Sequence, residues 1–171
     1  MKKCRTCGAM FAPFNSMQKV CSGSCALSLV REEKVKEIRK DLKVRKQKLK
    51  SKSVWAKETQ SVFNKYIRLR DAEQPCISCG RKHKGQYHAG HYKTVGAHPE
   101  LRFHPLNCHK QCAPCNNHLS GNITNYRVKL LEKIGEEKLE WLEGNHPPAK
   151  YSIDDLKEIK KDYQKKIKEI E

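Results

Sequence analysis

Nine cysteines and eight histidines are the most chemically versatile side chains of this 171-residue sequence, and most of them fall into short-spaced groups. Cys4 and Cys7 form a C-x2-C knuckle, and Cys21 and Cys25 a C-x3-C pair. Cys76 with Cys79 and Cys112 with Cys115 form two more C-x2-C pairs, leaving Cys108 alone. A spacer of two or three residues lets one tight turn aim both sulfurs at one ion, and four thiolates suit tetrahedral zinc. Pairing neighbours along the chain predicts two structural Zn2+ sites, Cys4/Cys7/Cys21/Cys25 and Cys76/Cys79/Cys112/Cys115. Each is closed by four sulfurs, so neither zinc keeps the open position that catalysis needs. Cys108 reads as a small buried hydrophobe.

The arc between the halves of the second site holds the remaining chemistry. Seven of the eight histidines fall in residues 83–118, within a stretch rich in Gly and Asn. Zinc clamped at each end of that arc would hold it as a β-hairpin leading into a short helix. His83, His98 and His104 read as loop residues; His109 either caps backbone, stacks in a core or takes part in chemistry.

Around these groups the sequence divides into four parts. Residues 1–26 form an N-terminal Cys4 zinc module, whose folding the metal must drive because Met10, Phe11 and Phe14 are its only sizeable apolar groups. Residues 27–72 form a basic helical region; 27–70 has no Gly or Pro and carries 15 Lys/Arg against 5 acids. Val35, Ile38, Leu42 and Leu49 make one narrow stripe there, with a break expected near Ser51–Ser53. A second helix follows, with Trp55, Val62, Phe63, Tyr66 and Ile67 on one face. Residues 73–125 make a zinc-stabilised core of short strands and loops. Residues 126–171 return to helix: Tyr126, Leu130, Leu131 and Ile134 precede a Gly135 C-cap, a short helix carries Leu139 and Leu142, and Ser152 and Asp155 resemble a capping box for a final stripe of Leu156, Ile159, Tyr163, Ile167 and Ile170. The fold class expected is small, zinc-stabilised α+β with long basic helices.

Composition bounds the function. The net charge is +17 and the pI about 9.6, with 37% hydrophobic residues. Such a charge points to a polyanionic partner, DNA foremost. No apolar run approaches the ~18 residues of a membrane span, and the basic start lacks the apolar stretch of a secretory leader. No membrane partner is expected, and reduced, metal-binding cysteines fit a cytoplasmic location.

The order of motifs in the core resembles that of a known group. Cys76-x2-Cys79, then Gly90-His91, Asn107, and Cys112-x2-Cys115 followed at once by Asn116, is similar to the HNH nuclease superfamily, whose ββα-metal core is of treble-clef type. Asn directly after the last zinc cysteine resembles the phage endonuclease VII type of Holliday-junction resolvase. A closer resemblance is to the phage lambda NinG (Rap) recombination family, carried by the run Cys76 to Gly80, Ala89 to Tyr92, Leu101 to Phe103, His109 to Cys112, Cys115-Asn116, His118, Ser120 to Asn122 and Tyr126-Arg127. It covers nearly the whole chain and is strongest over 76–127.

The resemblance implies a structure-specific DNA endonuclease that hydrolyses phosphodiesters in branched recombination intermediates, Holliday junctions and D-loops, in the bacterial host cytoplasm or nucleoid. His91 takes the place of the general base, Asn107 that of a brace for the loop carrying it, and Asn116 that of a ligand for a catalytic Mg2+ or Mn2+. Gly90 stands where such enzymes carry an acidic or histidine ligand, so His88 and His118 become the candidates for that role. Lys93, Arg102, Lys110 and Arg127 are candidate phosphate contacts. Two active sites would cut a junction symmetrically, so a homodimer is an expectation, as are phage or host recombination proteins as partners. Two other readings stay open: a non-enzymatic zinc-containing DNA-binding recombination mediator with a decayed site, and a sequence-specific HNH enzyme.

Overall fold

A computed structural model describes residues 1–171, which form two units, Met1–Lys50 and Ser51–Glu171. In the first, β1 (Lys2–Lys3) pairs antiparallel with β2 (Met10–Phe11), Lys2 opposite Phe11. The first cysteine knuckle fills the turn between them, and Gly8 takes the left-handed conformation that closes it (φ +79°). The second pair lies at the start of α1 (Gly23–Lys48), where the Ser22 hydroxyl accepts from Cys25 N at 3.3 Å and caps the helix. α1 extends about 39 Å at 1.5 Å per residue, and none of its residues is buried. The stripe read from the sequence lies on it half-exposed, with Val35 at 45%, Ile38 at 50% and Leu42 at 49%.

The helical region breaks at Leu49–Ser51, and the Ser51 hydroxyl caps α2 (Lys52–Arg70). α2 buries Trp55, Thr59, Phe63 and Ile67, four residues at steps of four and hence on one face. That face meets Leu156, Tyr163 and Ile167 of α5 (Ile153–Ile170). The two helices run parallel: Thr59 Oγ1 donates to Leu156 O at 2.9 Å, Lys160 pairs with Glu58 at 2.7 Å, and Phe63 and Tyr163 meet edge to face. The Ser152–Asp155 capping box starts α5, each residue's backbone N–H reaching the other's side chain.

Strands β3 (Tyr87–His91) and β4 (Cys108–Cys112) pair antiparallel, with Gly90 opposite His109 and His91 opposite Cys108. One face, carrying Ala89, His91 and Cys108, joins the α2/α5 core. The other carries Gly90 and His109 towards Tyr126 of α3 (Ile123–Ile134). Beyond it a second core gathers Ile77, Tyr92, Leu101, Tyr126 and Leu130 with Leu139 and Leu142 of α4 (Glu136–Glu143). The ribbon is therefore the middle of three layers. The buried Asp71 carboxylate fastens the end of α2 to it, accepting from Arg70, Lys133 and the Lys110 backbone N–H. Desolvation opposes ionisation of Asp71, but Arg70 and Lys133 prevail and hold its pKa at about 2. Arg70 also donates to the Pro105 and Cys108 carbonyls, both at 2.9 Å. No helix is long and apolar enough to cross a membrane.

Candidate functional site

Both cysteine quartets are assembled. In each, the four sulfurs lie within 4.8 Å of one another. Cys7 and Cys21 sulfurs are 3.5 Å apart, Cys21 and Cys25 3.7 Å, and Cys79 and Cys112 3.9 Å. A tetrahedron with zinc–sulfur bonds of about 2.3 Å has sulfurs about 3.8 Å apart, whereas a disulfide needs about 2.05 Å. The set therefore fits zinc, and all nine cysteines are free thiols. Donors point at the sulfurs as they would at thiolates: Cys21 N to Cys4 Sγ at 3.4 Å, Cys112 N to Cys76 Sγ at 3.3 Å and Asn122 Nδ2 to Cys115 Sγ at 3.5 Å. Without a dication the crowding is unfavourable to charge: the Cys7 sulfur, then that of Cys25, pushes Cys21 up to about 12. His83 is not a plain loop residue. Its Nε2 lies 3.2 Å from Cys79 Sγ and its backbone N–H donates to Tyr87 Oη. The Cys79-x3-His83 spacing was its signal in the sequence.

The second quartet closes one end of the ribbon, where Tyr87 pairs with Cys112, and His91 lies at the other end, opposite Cys108. Its Nε2 lies 2.9 Å from the Arg102 carbonyl and donates to it, leaving Nδ1 as the lone-pair nitrogen, 3.8 Å from Cys108 Sγ. Burial lowers its pKa against the raising effect of that carbonyl, and the Arg102 charge lowers it further. The imidazole is thus neutral with a fixed tautomer. Asn107, fully buried, braces the connection that follows: Oδ1 accepts from Lys93 N at 2.7 Å, and Nδ2 donates to Lys93 O at 3.0 Å and Leu101 O at 3.2 Å.

The expected cation ligands do not converge on His91. Side chains alternate along a strand, so His88 and His91, three residues apart, face opposite sides of the ribbon. His88 pairs across with Gln111, and its buried Nε2 has no hydrogen-bond partner. Asn116 and His118 lie in a wide π turn, Pro114–His118, closed by Leu119 N to Pro114 O. Positions two apart on such a turn point to opposite sides; Asn116 Nδ2 donates to Asn117 Oδ1 and His118 is exposed. Gly90 has a packing reason. A Cβ there would lie 2.1 Å from Gln111 Oε1, whose amide Nε2 is committed to Ser78 Oγ and Gly121 O. An acid at this position would displace Gln111, so Gly90 is not a ligand lost from an otherwise open site. Besides the two sulfur quartets there is no third cluster of metal-ligand side chains.

The four candidate phosphate contacts divide. Lys110 is buried and its Nζ donates to Ala72 O at 2.6 Å; Arg127 is held bidentate by Glu143 at 2.8 and 2.9 Å. The Lys110 charge is thus committed inside the fold, whereas the Arg127–Glu143 pair lies at the surface. Lys93 stands over the Tyr92 ring, 5.6 Å from its centre, without a carboxylate partner. Arg102 donates Nε to Gln60 Oε1 at 2.8 Å and keeps its other N–H groups free of protein acceptors. Gln60 escaped notice in the sequence because it looks like an ordinary helix residue, and Tyr126, read there as a stripe and motif position, turns out to donate its hydroxyl to Gly90 O at 2.9 Å and to contact His109.

A family model described as the bacteriophage lambda NinG protein matches residues 1–171. The sequence is 39% identical over 189 residues to protein ninG of Escherichia phage lambda, covering 99% of this chain and 93% of that protein. It is 38% identical over 187 residues to protein ninG of Escherichia phage 933W and 38% identical over 189 residues to that of Salmonella phage P22, with the same coverage. No solved structure matches.

Proposed function

We propose, from the premise that this chain belongs along its whole length to the bacteriophage lambda NinG family, that it is a phage recombination protein which grips branched DNA and hydrolyses a phosphodiester in it. The observation that supports hydrolysis best is the state of His91, a neutral imidazole whose Nε2–H is tied to the Arg102 carbonyl and whose Nδ1 meets only the weak donor of the Cys108 thiol at 3.8 Å, a contact that a water must replace. That is what a general base needs at neutral pH. Nδ1 takes the proton of a water as its oxygen bonds to phosphorus; the bond from phosphorus to one sugar oxygen breaks and that oxygen takes a proton from solvent water, giving a phosphate end and a hydroxyl end. The two Cys4 groups serve as structural zinc sites that hold the strands in register. Cleavage of this kind draws charge stabilisation from Mg2+ or Mn2+, but His88, Asn116 and His118 do not form one ligand set with His91, so no role in holding that ion is assigned to them.

The test is a cleavage assay of the zinc-loaded protein on duplex, D-loop and four-way DNA, with and without Mn2+ or Mg2+. Branched substrates are expected to be nicked, and His91→Ala to lose at least 100-fold in rate, about the low end of general-base contributions, with binding unchanged. His91→Asn, which preserves a donor for the Arg102 carbonyl, should be equally inactive. Undiminished cutting by either variant removes His91 from the reaction. A second reading, a non-enzymatic DNA-binding mediator in recombination, is favoured by Gln111 filling the space beside Gly90. Tight branched-DNA binding with no cleavage in any metal would select it.

A further inference from the structure

The outer face of α2 carries a row of side chains that neither fold nor family reading has used. Lys57, Gln60, Ser61, Asn64 and Arg68 fall within about 100° of one another around the helix axis and span about 16 Å along it. With Arg102, which reaches over from the connection between β3 and β4, they line one groove of about 320 Å³. Arg102 Nε donates to Gln60 Oε1 at 2.8 Å, and Gln60 Nε2 donates to Asn64 Oδ1 at 2.8 Å. This relay leaves the Asn64 amide N–H groups, the Ser61 hydroxyl and the outer N–H groups of Arg102 available. No carboxylate lines the groove, and Lys57 and Arg68 form no ion pair. The one acid of α2, Glu58, pairs with Lys160 of α5.

We propose that this groove is a track for one DNA strand's phosphate backbone. The proposal rests on the DNA-cleaving reading above and extends it to substrate placement. Three cations spread along the groove, filled in with neutral donors, suit a run of phosphates rather than one compact anion. At 3.4 Å of duplex axis per nucleotide, 16 Å of helix passes about five phosphates. No exposed apolar side chain lines the groove to wedge between bases, so contacts here position DNA without reading sequence. The track borders the proposed base: the Arg102 carbonyl holds His91, and Phe63, next to Asn64, lies 6.0 Å from its ring.

The full zinc-loaded chain, titrated by fluorescence anisotropy against a four-way junction at several salt concentrations, tests this. Each lost phosphate contact lowers the slope of log K against log salt by about 0.9. Lys57→Gln with Arg68→Gln should therefore flatten the slope by about 1.8, and Asn64→Ala should weaken binding with the slope little changed. Lys161→Gln with Lys168→Gln, the same charge loss on the outer side of α5, should leave the slope near that of the parent. Unaltered slopes in the α2 pair, or equal flattening in the α5 pair, overturn the track while the parent still binds and cuts. A parent that binds no DNA at all overturns the functional reading itself.

Discussion

His109 shows how one buried side chain ties stability to pH. It lies behind Tyr126 with its Nδ1 3.2 Å from the hydroxyl, and burial, then the charges of Lys133 and Arg70, push its pKa down to about 3. In the unfolded chain it titrates near 6.5. Below that value the unfolded state binds the proton and the folded state does not, so stability falls as the pH drops from about 6.5 towards 3. By pH 5 the loss is about 2 kcal/mol. Because acid also releases zinc from thiolates, the comparison to make is with His109→Gln: denaturant melts at pH 7.5, 6 and 5 should show a steeper fall for the parent. Identical slopes would mean that His109 gains a proton in the folded state. The sequence offered three roles for His109 and could not choose, since the choice depends on Tyr126, seventeen residues away. For His88 and His91 the sequence did hold the answer. Their separation by three is incompatible with one face of a strand, and only the extent of β3 was needed to see it.

At the scale of elements, local signals were readable wherever they were chemical. The Ser152–Asp155 capping box, the Gly135 stop and the cysteine knuckles each satisfy backbone or metal within a few residues of themselves. What escaped was long-range pairing, such as the parallel packing of α2 on α5 and the Arg70–Asp71 anchor, because a helical stripe says that a face is covered and not by what. Metal dependence should differ between the two units. The first has almost no buried apolar side chain, Cys4 being its one buried residue. Without zinc its β1–β2 turn has nothing to hold it. The second has two apolar cores beside its quartet. Chelation is expected to unfold the first quartet's module outright, seen as loss of its amide dispersion by NMR, while the α2/α5 signals persist and the β3/β4 signals broaden. Cooperative loss of every signal would show that the second quartet carries the α2/α5 core as well.

For the molecule as a whole, ten of the seventeen net positive charges lie in residues 27–70, across the junction of the two units. Salt at physiological ionic strength screens such charge beyond about 8 Å, so it acts at contact. α1 contributes nine Lys/Arg to this stretch and buries nothing. A solvent-bathed helix of that kind opens locally far more readily than a packed one. Trypsin is therefore expected to cut first between residues 31 and 50, and mass spectrometry should find a resistant fragment beginning near residue 51. Simultaneous digestion throughout 51–171 would contradict this. The chain thus has a natural severing point between its sulfur clusters: a nick there parts the amino-terminal knuckle from the ribbon and its imidazole, so that each half can be tried separately against branched DNA without altering a single side chain.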